Sequence, residues 1–472
     1  MNTVLIGIIV YILLQLLVGV YCSRRIASED DYLLAGRSLG VGMASLSVFA
    51  TWFGAETCIG AAGSVYENGL SGATVDPFGY TLCLVLMGLV FATHLWRRNL
   101  TTLADLFTQR YSAKIQNFAV LLIAPTSIMW AAAQVRAFGQ VLSSASGLEV
   151  EIAIAAAALV VIVYTMYGGL LADVVTDAVQ GVALIIGLLL LLVLVLEAGG
   201  GIEASVARIE PERLGFFGTS AKPGLETLEQ WAIPICGSVL SQELVARVLA
   251  SRSPEVARRS CVYGGLLYLA VGLIPVTIGL FGIQLLPGLN EPEQILPNLA
   301  QKYLHTFFYI IFAGALISAI LSTVDSALLA ASALLSHNLI VPMLKIGNDE
   351  AKVKIARLMV LASGIVAFAL ALNAGRVYTL VEEASAFGSA GIFTVVIFGL
   401  FTSFGGVISA GVTLAAGMLT WIVGHHVLDL ATPYLVSLSV AFASYLLVGS
   451  WESMRAGNMQ AGLIRAWLRS DR

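Results

Sequence analysis

Charge is scarce in this chain: Asp, Glu, Lys and Arg make up 11% of its 472 residues, against roughly a quarter in a soluble domain. With 58% hydrophobic residues and a mean hydropathy of +0.90, that deficit excludes a soluble protein and points to an integral membrane protein of many spans. The net charge of −4 offers no basic surface to nucleic acid. Cysteine is also scarce. Cys22, Cys58, Cys83, Cys236 and Cys261 are odd in number and scattered through apolar runs, a pattern that suggests neither a disulfide framework nor a metal cluster. His94, His305, His337, His425 and His426 sit at or near the ends of those runs without metal-ligand spacing. No nucleophile–base pair, zinc spacing or glycine-rich phosphate loop suggests an enzyme.

What the chain has in abundance is apolar runs of about twenty residues, each able to satisfy its own backbone as a helix. We expect about thirteen spans, at 4–22, 40–64, 73–95, 118–144, 152–168, 173–197, 228–250, 261–286, 305–340, 353–373, 378–401, 405–424 and 433–450. The first has no charged leader and no small-residue cleavage pattern before Arg24, so it reads as a span and not a signal peptide. Alternate loops hold 19 of the 25 Lys and Arg, among them Arg24, Arg97, Arg247, Arg258, Lys354 and Arg472. By the retention of positive charge in short cytoplasmic loops, the N-terminus faces outside and the C-terminus the cytoplasm, in a plasma or inner membrane.

Five of these spans, over 40–197, precede the Glu-rich loop at 198–227 and five, over 228–401, follow it, the layout of an inverted repeat. The expected divisions are an N-terminal helix and turn (1–39), a first repeat (40–197), the external loop (198–227), a second repeat (228–401), and two C-terminal helices with a short tail (402–472). Each repeat should open on a broken helix. Phe53-Gly54-Ala55-Glu56 supplies glycine and a carboxylate in mid-membrane, and Pro234, Gly237 and Glu243 mark the counterpart.

The stretch 317–326 carries the most chemistry. Ala319, Ser322, Thr323 and Ser326 share one helical face, with Asp325 on its flank. Hydroxyl and carboxylate oxygens suit a small hard cation. Small and hydroxylated residues at this spacing also serve close helix packing. A carboxylate at membrane depth tips the reading toward a cation path.

Trp52, Tyr80 and Trp130 fall near mid-membrane on three spans, where converging rings would attract an ammonium group. Glu56, Arg136 and Glu243 are charges that must be paired, hydrated or bound to a solute. A structural Glu56–Arg136 pair is the default expectation, with Arg136 alternatively holding a solute carboxylate.

The ordered motifs Ala35-Gly36-Arg37-Ser38-Leu39-Gly40, Ala50-Thr51-Trp52-Phe53-Gly54, Gly168-Gly169-Leu170, Thr176-Asp177-Ala178-Val179-Gln180, Arg247-Val248 and Leu321-Ser322-Thr323-Val324-Asp325-Ser326 resemble those of the sodium:solute symporter family over nearly the whole chain. The resemblance implies an all-α, leucine-transporter-like core of two inverted five-helix repeats. It also implies a sodium site built from the carbonyls of Ala50 and Phe53 with Ala319, Ser322 and Thr323, and a further cation site at Asp177, Ser326 and Asp325. A snorkelling or capping role for Asp177 remains the alternative. Trp52, Tyr80, Trp130 and Val324-Asp325-Ser326 are similar to the high-affinity choline transporter branch, whereas Ser241, before Gln242-Glu243, stands where that branch has another tryptophan. The expected activity is sodium-coupled import of a small cationic or zwitterionic amine such as choline or a betaine. Import of an amino or organic acid, and coupling to protons through Asp177 or Asp325, are the rivals. A membrane sensor is a third class, but the tail after Trp451 is too short for a kinase or receiver domain. The partners are then a small solute, sodium and the lipid bilayer; oligomeric state is not legible.

Overall fold

The computed structural model describes residues 26–216, 224–373 and 377–470, with scattered positions before 26; the side chains of 144, 145, 378 and 456–470 are not among those described. The span expected at 4–22 lies outside the continuously described residues. Among the described residues the chain is helical without strands, and one isolated bridge joins Leu39 to Ser251. Among the described residues eight helices are long and apolar enough to cross a membrane, or ten if each of two bent helix pairs forms one span. The count falls below thirteen partly because the helix expected over 40–64 is two short pieces.

Those pieces are α1 (Val41–Trp52) and α2 (56–68), and the chain between them leaves the helix at Phe53 (φ −87°, ψ 64°). Next come α3 (74–97), which contains Pro77 near its start, and α4 (Ala113–Ser146). The following apolar stretch turns at Gly169 (φ 60°, ψ −177°), giving α5 (150–168) and α6 (170–198). The turn is confirmed by a side-chain contact: the Tyr164 hydroxyl lies 2.7 Å from Thr176 Oγ1, whereas twelve residues of straight helix would put their backbones about 18 Å apart. A Cβ on Gly169 would meet Tyr32 at 2.9 Å, so both the left-handed backbone and the close approach require glycine.

The second half repeats the broken opening. α7 (Gly224–Gly237) and α8 (Gln242–Ala250) are bent by 43° about the segment at Ser238–Ser241. α9 (Pro254–Leu285) and α10 (Thr306–Ala333) follow, and every residue of α10 from Phe312 to Ala333 is buried. An apolar helix buried on all sides is the centre of a bundle. α11 (Asp349–Asn373), the bent pair α12 (Val377–Ala386) and α13 (Ser389–Phe401), then α14 (Val407–His426) and α15 (Pro433–Ser470) complete the chain. α10 packs against α4, the α5–α6 stretch and α11, so its hydroxyl face meets both the break after α1 and the acidic face of α6.

Candidate functional site

The break after α1 is held open by α10 and α4. A Cβ added to Gly54 would come within 2.7 Å of Thr323 Oγ1 and Glu56 Oε2 and 2.8 Å of Gln134 Oε1, so three polar groups converge where glycine leaves room. Thr323 Oγ1 lies 3.5 Å from the Ala50 carbonyl and 3.2 Å from that of Ala319. Ala50, Phe53, Ala319, Ser322 and Thr323 are all buried. Ala50, Ala319 and Thr323 therefore meet directly, with Ser322 beside Thr323 on the same helix and Phe53 at the end of α1.

Ser322 and Ser326 are one turn apart on α10, and Asp177 and Asp173 are one turn apart on α6. Running antiparallel, the helices pair them as rungs: the Ser322 hydroxyl donates to Asp177 Oδ1, and Ser326 donates to Asp173 Oδ2 at 3.0 Å. The periodicity of facing helices gives each carboxylate a different hydroxyl, so Ser326 bonds Asp173 directly and not Asp177. Asp177 also accepts from Ser47 at 2.6 Å and is fully buried, which removes the snorkelling alternative. Asp325 belongs to a different face. Its Oδ1 accepts from Thr165 of α5 at 2.5 Å, and its Oδ2 has no partner among the described residues.

Arg247, counted above among cytoplasmic loop charges, is instead buried in α8 and bonds Asp173 and Ser326. The loop reading failed because Arg247 ends an apolar helix one turn before the chain leaves the interior. Its partner Asp173 was missed entirely. The available signal was its spacing, four residues before Asp177 and hence on the same helical face.

The aromatic trio does converge. Trp52 and Trp130 pack edge to face with centroids 5.4 Å apart, and Tyr80 lies 6.3 Å from Trp130. The Tyr80 hydroxyl is 3.3 Å from Ser385 Oγ, which accepts from Ser238 at 3.1 Å. Trp130, Ser241, Glu243 and Ser385 line a cavity of about 30 Å³, small beside the several hundred Å³ of a filled solute pocket. Around this cluster, the Trp52 indole nitrogen is buried without a hydrogen-bond partner among the described residues, while the Trp130 indole faces Glu56 and the Ser127 and Ser241 hydroxyls face Glu243 in contacts that fall short of regular hydrogen-bond geometry.

Glu56 and Arg136 do not pair. Gln134 donates to Glu56 Oε2 at 2.6 Å and accepts from the Ala55 amide at 2.9 Å. Two residues further along α4 is about 200° around the helix, so Arg136 points away. It donates to the Ala371 carbonyl at 3.1 Å and lines a separate vestibule of about 510 Å³ with Glu67, Glu291 and Glu293. A second missed cluster joins Thr57, Asp76 and Tyr268. Thr57 and Tyr268 donate to Asp76 at 2.8 and 2.7 Å, and their own hydroxyls lie 2.6 Å apart. Asp76 stands in extended backbone (φ −131°, ψ 122°) beside Pro77 at the head of an otherwise apolar helix.

Comparison with known proteins agrees with this architecture. The chain is 29% identical over 444 residues to the sodium/proline symporter of Staphylococcus aureus strain JH9, covering 88% of this chain and 85% of the relative, and equally to that of strain NCTC 8325. A Na+-coupled sialic acid symporter in a substrate-bound, outward-open state superposes with a TM-score of 0.85 at 18% identity, covering 94% of this chain and 96% of that one. Mhp1, a nucleobase-cation-symport-1 family transporter in a closed conformation with bromovinylhydantoin bound, gives a TM-score of 0.62 at 15% identity, covering 88% and 94%. These likenesses establish the leucine-transporter-like fold. The profile of the sodium:solute symporter family matches residues 32–405, and the chain, a multi-pass membrane protein that couples transport to sodium, belongs to that family.

Proposed function

We propose that this chain imports a small zwitterionic amine with sodium, an amino acid ranking first. The observation that carries the reading is the set of buried, incompletely hydrogen-bonded donors and acceptors around the aromatic trio. Glu56 Oε1 and Glu243 Oε1 are acceptors for an ammonium group, while the Trp52 and Trp130 indoles and Ser241 are donors for a carboxylate. Buried polar atoms whose hydrogen bonds are poor or missing are costly, and a zwitterion answers both kinds at once. The similarity to sodium/proline symporters supports the same class. The choline or betaine reading stands second, favoured by the Trp52–Trp130–Tyr80 convergence, since aromatic faces attract quaternary ammonium groups.

Sodium, in this proposal, binds between the Ala50 and Phe53 carbonyls and Ala319, Ser322 and Thr323. The Ser322 hydroxyl donates its hydrogen to Asp177, which turns its lone pairs outward and holds a carboxylate just behind the ion. Binding there ties the break after α1 to α10. Because Trp52 and Glu56 flank that break, the tie also fixes the solute pocket, and the mutual strengthening of the two ligands is reciprocal. We assign the two five-helix groups 40–197 and 228–401 as the inverted repeats that rock against each other, with the N-terminus outside. Arg247 leaves the charge asymmetry, and the remaining loop residues preserve its direction.

The test is uptake into proteoliposomes of proline, glycine betaine and choline, each driven by a sodium or a potassium gradient. Sodium-driven uptake of proline is the expected result. Uptake of choline or betaine alone would move the second reading to first place, and uptake indifferent to sodium would overturn the assigned sodium site.

A further inference from the structure

Two carboxylates one turn apart on α6 face two hydroxyls one turn apart on α10, and a guanidinium already stands among them. Arg247 is 1% exposed. One of its terminal nitrogens bonds Asp173 Oδ2 and Ser326 Oγ and lies 3.8 Å from Asp177 Oδ2. The Asp177 oxygens are themselves occupied, Oδ2 by the Ser47 hydroxyl at 2.6 Å and Oδ1 by Ser322. A cation of sodium's size keeps its oxygen ligands at about 2.4 Å, as calcium does. An ion touching both Asp177 Oδ2 and Ser326 Oγ would therefore need the space that the Arg247 nitrogen fills, against a fixed like charge in a dry interior.

We propose that Arg247, clamped by Asp173, is a tethered cation that takes the second cation position, so that each transport cycle carries one sodium ion. Asp173 is what commits the arginine. Without that carboxylate the guanidinium would keep the serine hydroxyl and the Glu243 carbonyl at 3.5 Å, and its remaining carboxylate neighbour, Asp177, is one it does not touch within hydrogen-bonding distance. With it, the positive charge is fixed beside the rungs that would otherwise gather a mobile ion. Asp177 is left to orient Ser322 toward the single sodium between α1 and α10. Since Arg247 rides on α8, the inner half of the second broken helix, the same clamp joins α8 to α6 and α10. The inference rests on sodium binding as proposed above and adds its stoichiometry.

The experiment uses radiolabelled sodium alone, equilibrated with the purified full-length chain in detergent, so that the unidentified solute plays no part. The expected count is one ion per chain, and two ions on the wild type would overturn the proposal. The second arm combines Arg247→Gln with Asp173→Asn, which removes both charges of the pair and keeps hydrogen-bonding groups in place. Asp177 then has no fixed counter-charge, an uncompensated burial that favours capture of a mobile cation. The bound count should rise to two, with the Hill coefficient moving from about one toward two. A double variant that unfolds at the wild-type midpoint yet still binds one ion would overturn the proposal. If that variant does not fold, the wild-type count decides alone. A wild type that binds no sodium would overturn the coupling site itself, an outcome distinct from a count of two.

Discussion

At the scale of single residues, the centre of the molecule is governed by a few atoms with no freedom to change. Thr323 reaches across from α10 to the Ala50 carbonyl, and Thr323→Ala should lower sodium affinity about tenfold, roughly 1.4 kcal/mol, with a smaller effect on solute affinity at saturating sodium. Sodium activation curves of uptake check this, and an unchanged half-saturation value would remove Thr323 from the site. Gly54 is constrained differently. Its missing side chain is the space in which Thr323, Glu56 and Gln134 meet, so Gly54→Ala should abolish sodium-dependent solute binding and cost about 1–3 kcal/mol of stability through overpacking. Full sodium-dependent binding in that variant would show that the break relaxes freely.

At the scale of elements, the antiparallel ladder of α6 and α10 depends on the turn that makes α6 a separate helix. Gly169 combines a positive φ with a backbone approach to Tyr32 that leaves no room for a Cβ. Gly169→Ala should therefore destabilise the fold by about 1–3 kcal/mol, read as a lowered unfolding midpoint, and should reduce sodium binding because Asp173 and Asp177 lose their register with Ser326 and Ser322. A variant with the wild-type midpoint would mean that the α5–α6 turn tolerates a side chain. The dipeptide Gly168-Gly169 marks this turn in the sequence. The rung pairing is not marked, because a one-turn shift of either helix fits the same pattern of hydroxyls and carboxylates.

At the scale of the whole molecule, the helices are also joined outside the spans. Asp105, at the start of the helix Ala104–Arg110, accepts the Thr101 and Thr102 amides at 2.7 and 3.0 Å and the Asn338 side chain at 2.7 Å. Burial by itself would raise its pKa; the hydrogen bond and charge of His337 and the two amides outweigh that and hold it below the ordinary carboxylate value. A lowered folded pKa means that the unfolded chain binds the proton first as pH falls. The stabilisation from Asp105 is then fully present above about pH 4, the ordinary Asp value, and is lost as pH drops through the folded value. Asp105→Asn should accordingly lower the unfolding midpoint at pH 7, and the gap from wild type should narrow below about pH 4. A gap that stays constant across that range would show that the carboxylate charge contributes nothing to this junction.

The sequence by itself determined that this is a many-spanning helical membrane protein, that its first core helix breaks at Phe53-Gly54, and that 317–326 presents a hydroxyl face. Each is a local property: hydrophobic length, glycine beside a mid-membrane carboxylate, and 3.6-residue periodicity. The convergence of Trp52, Tyr80 and Trp130 was legible because each lies at similar depth on its own span. What only the tertiary structure decided was which charges meet. Glu56 took Gln134 in place of Arg136, Asp177 and Asp173 took Ser322 and Ser326 as separate rungs, and Arg247 entered the interior to meet Asp173. Depth in a membrane can be counted along a sequence, but the rotation of each helix about its axis is set by the packing of its neighbours, and that rotation chooses the partner.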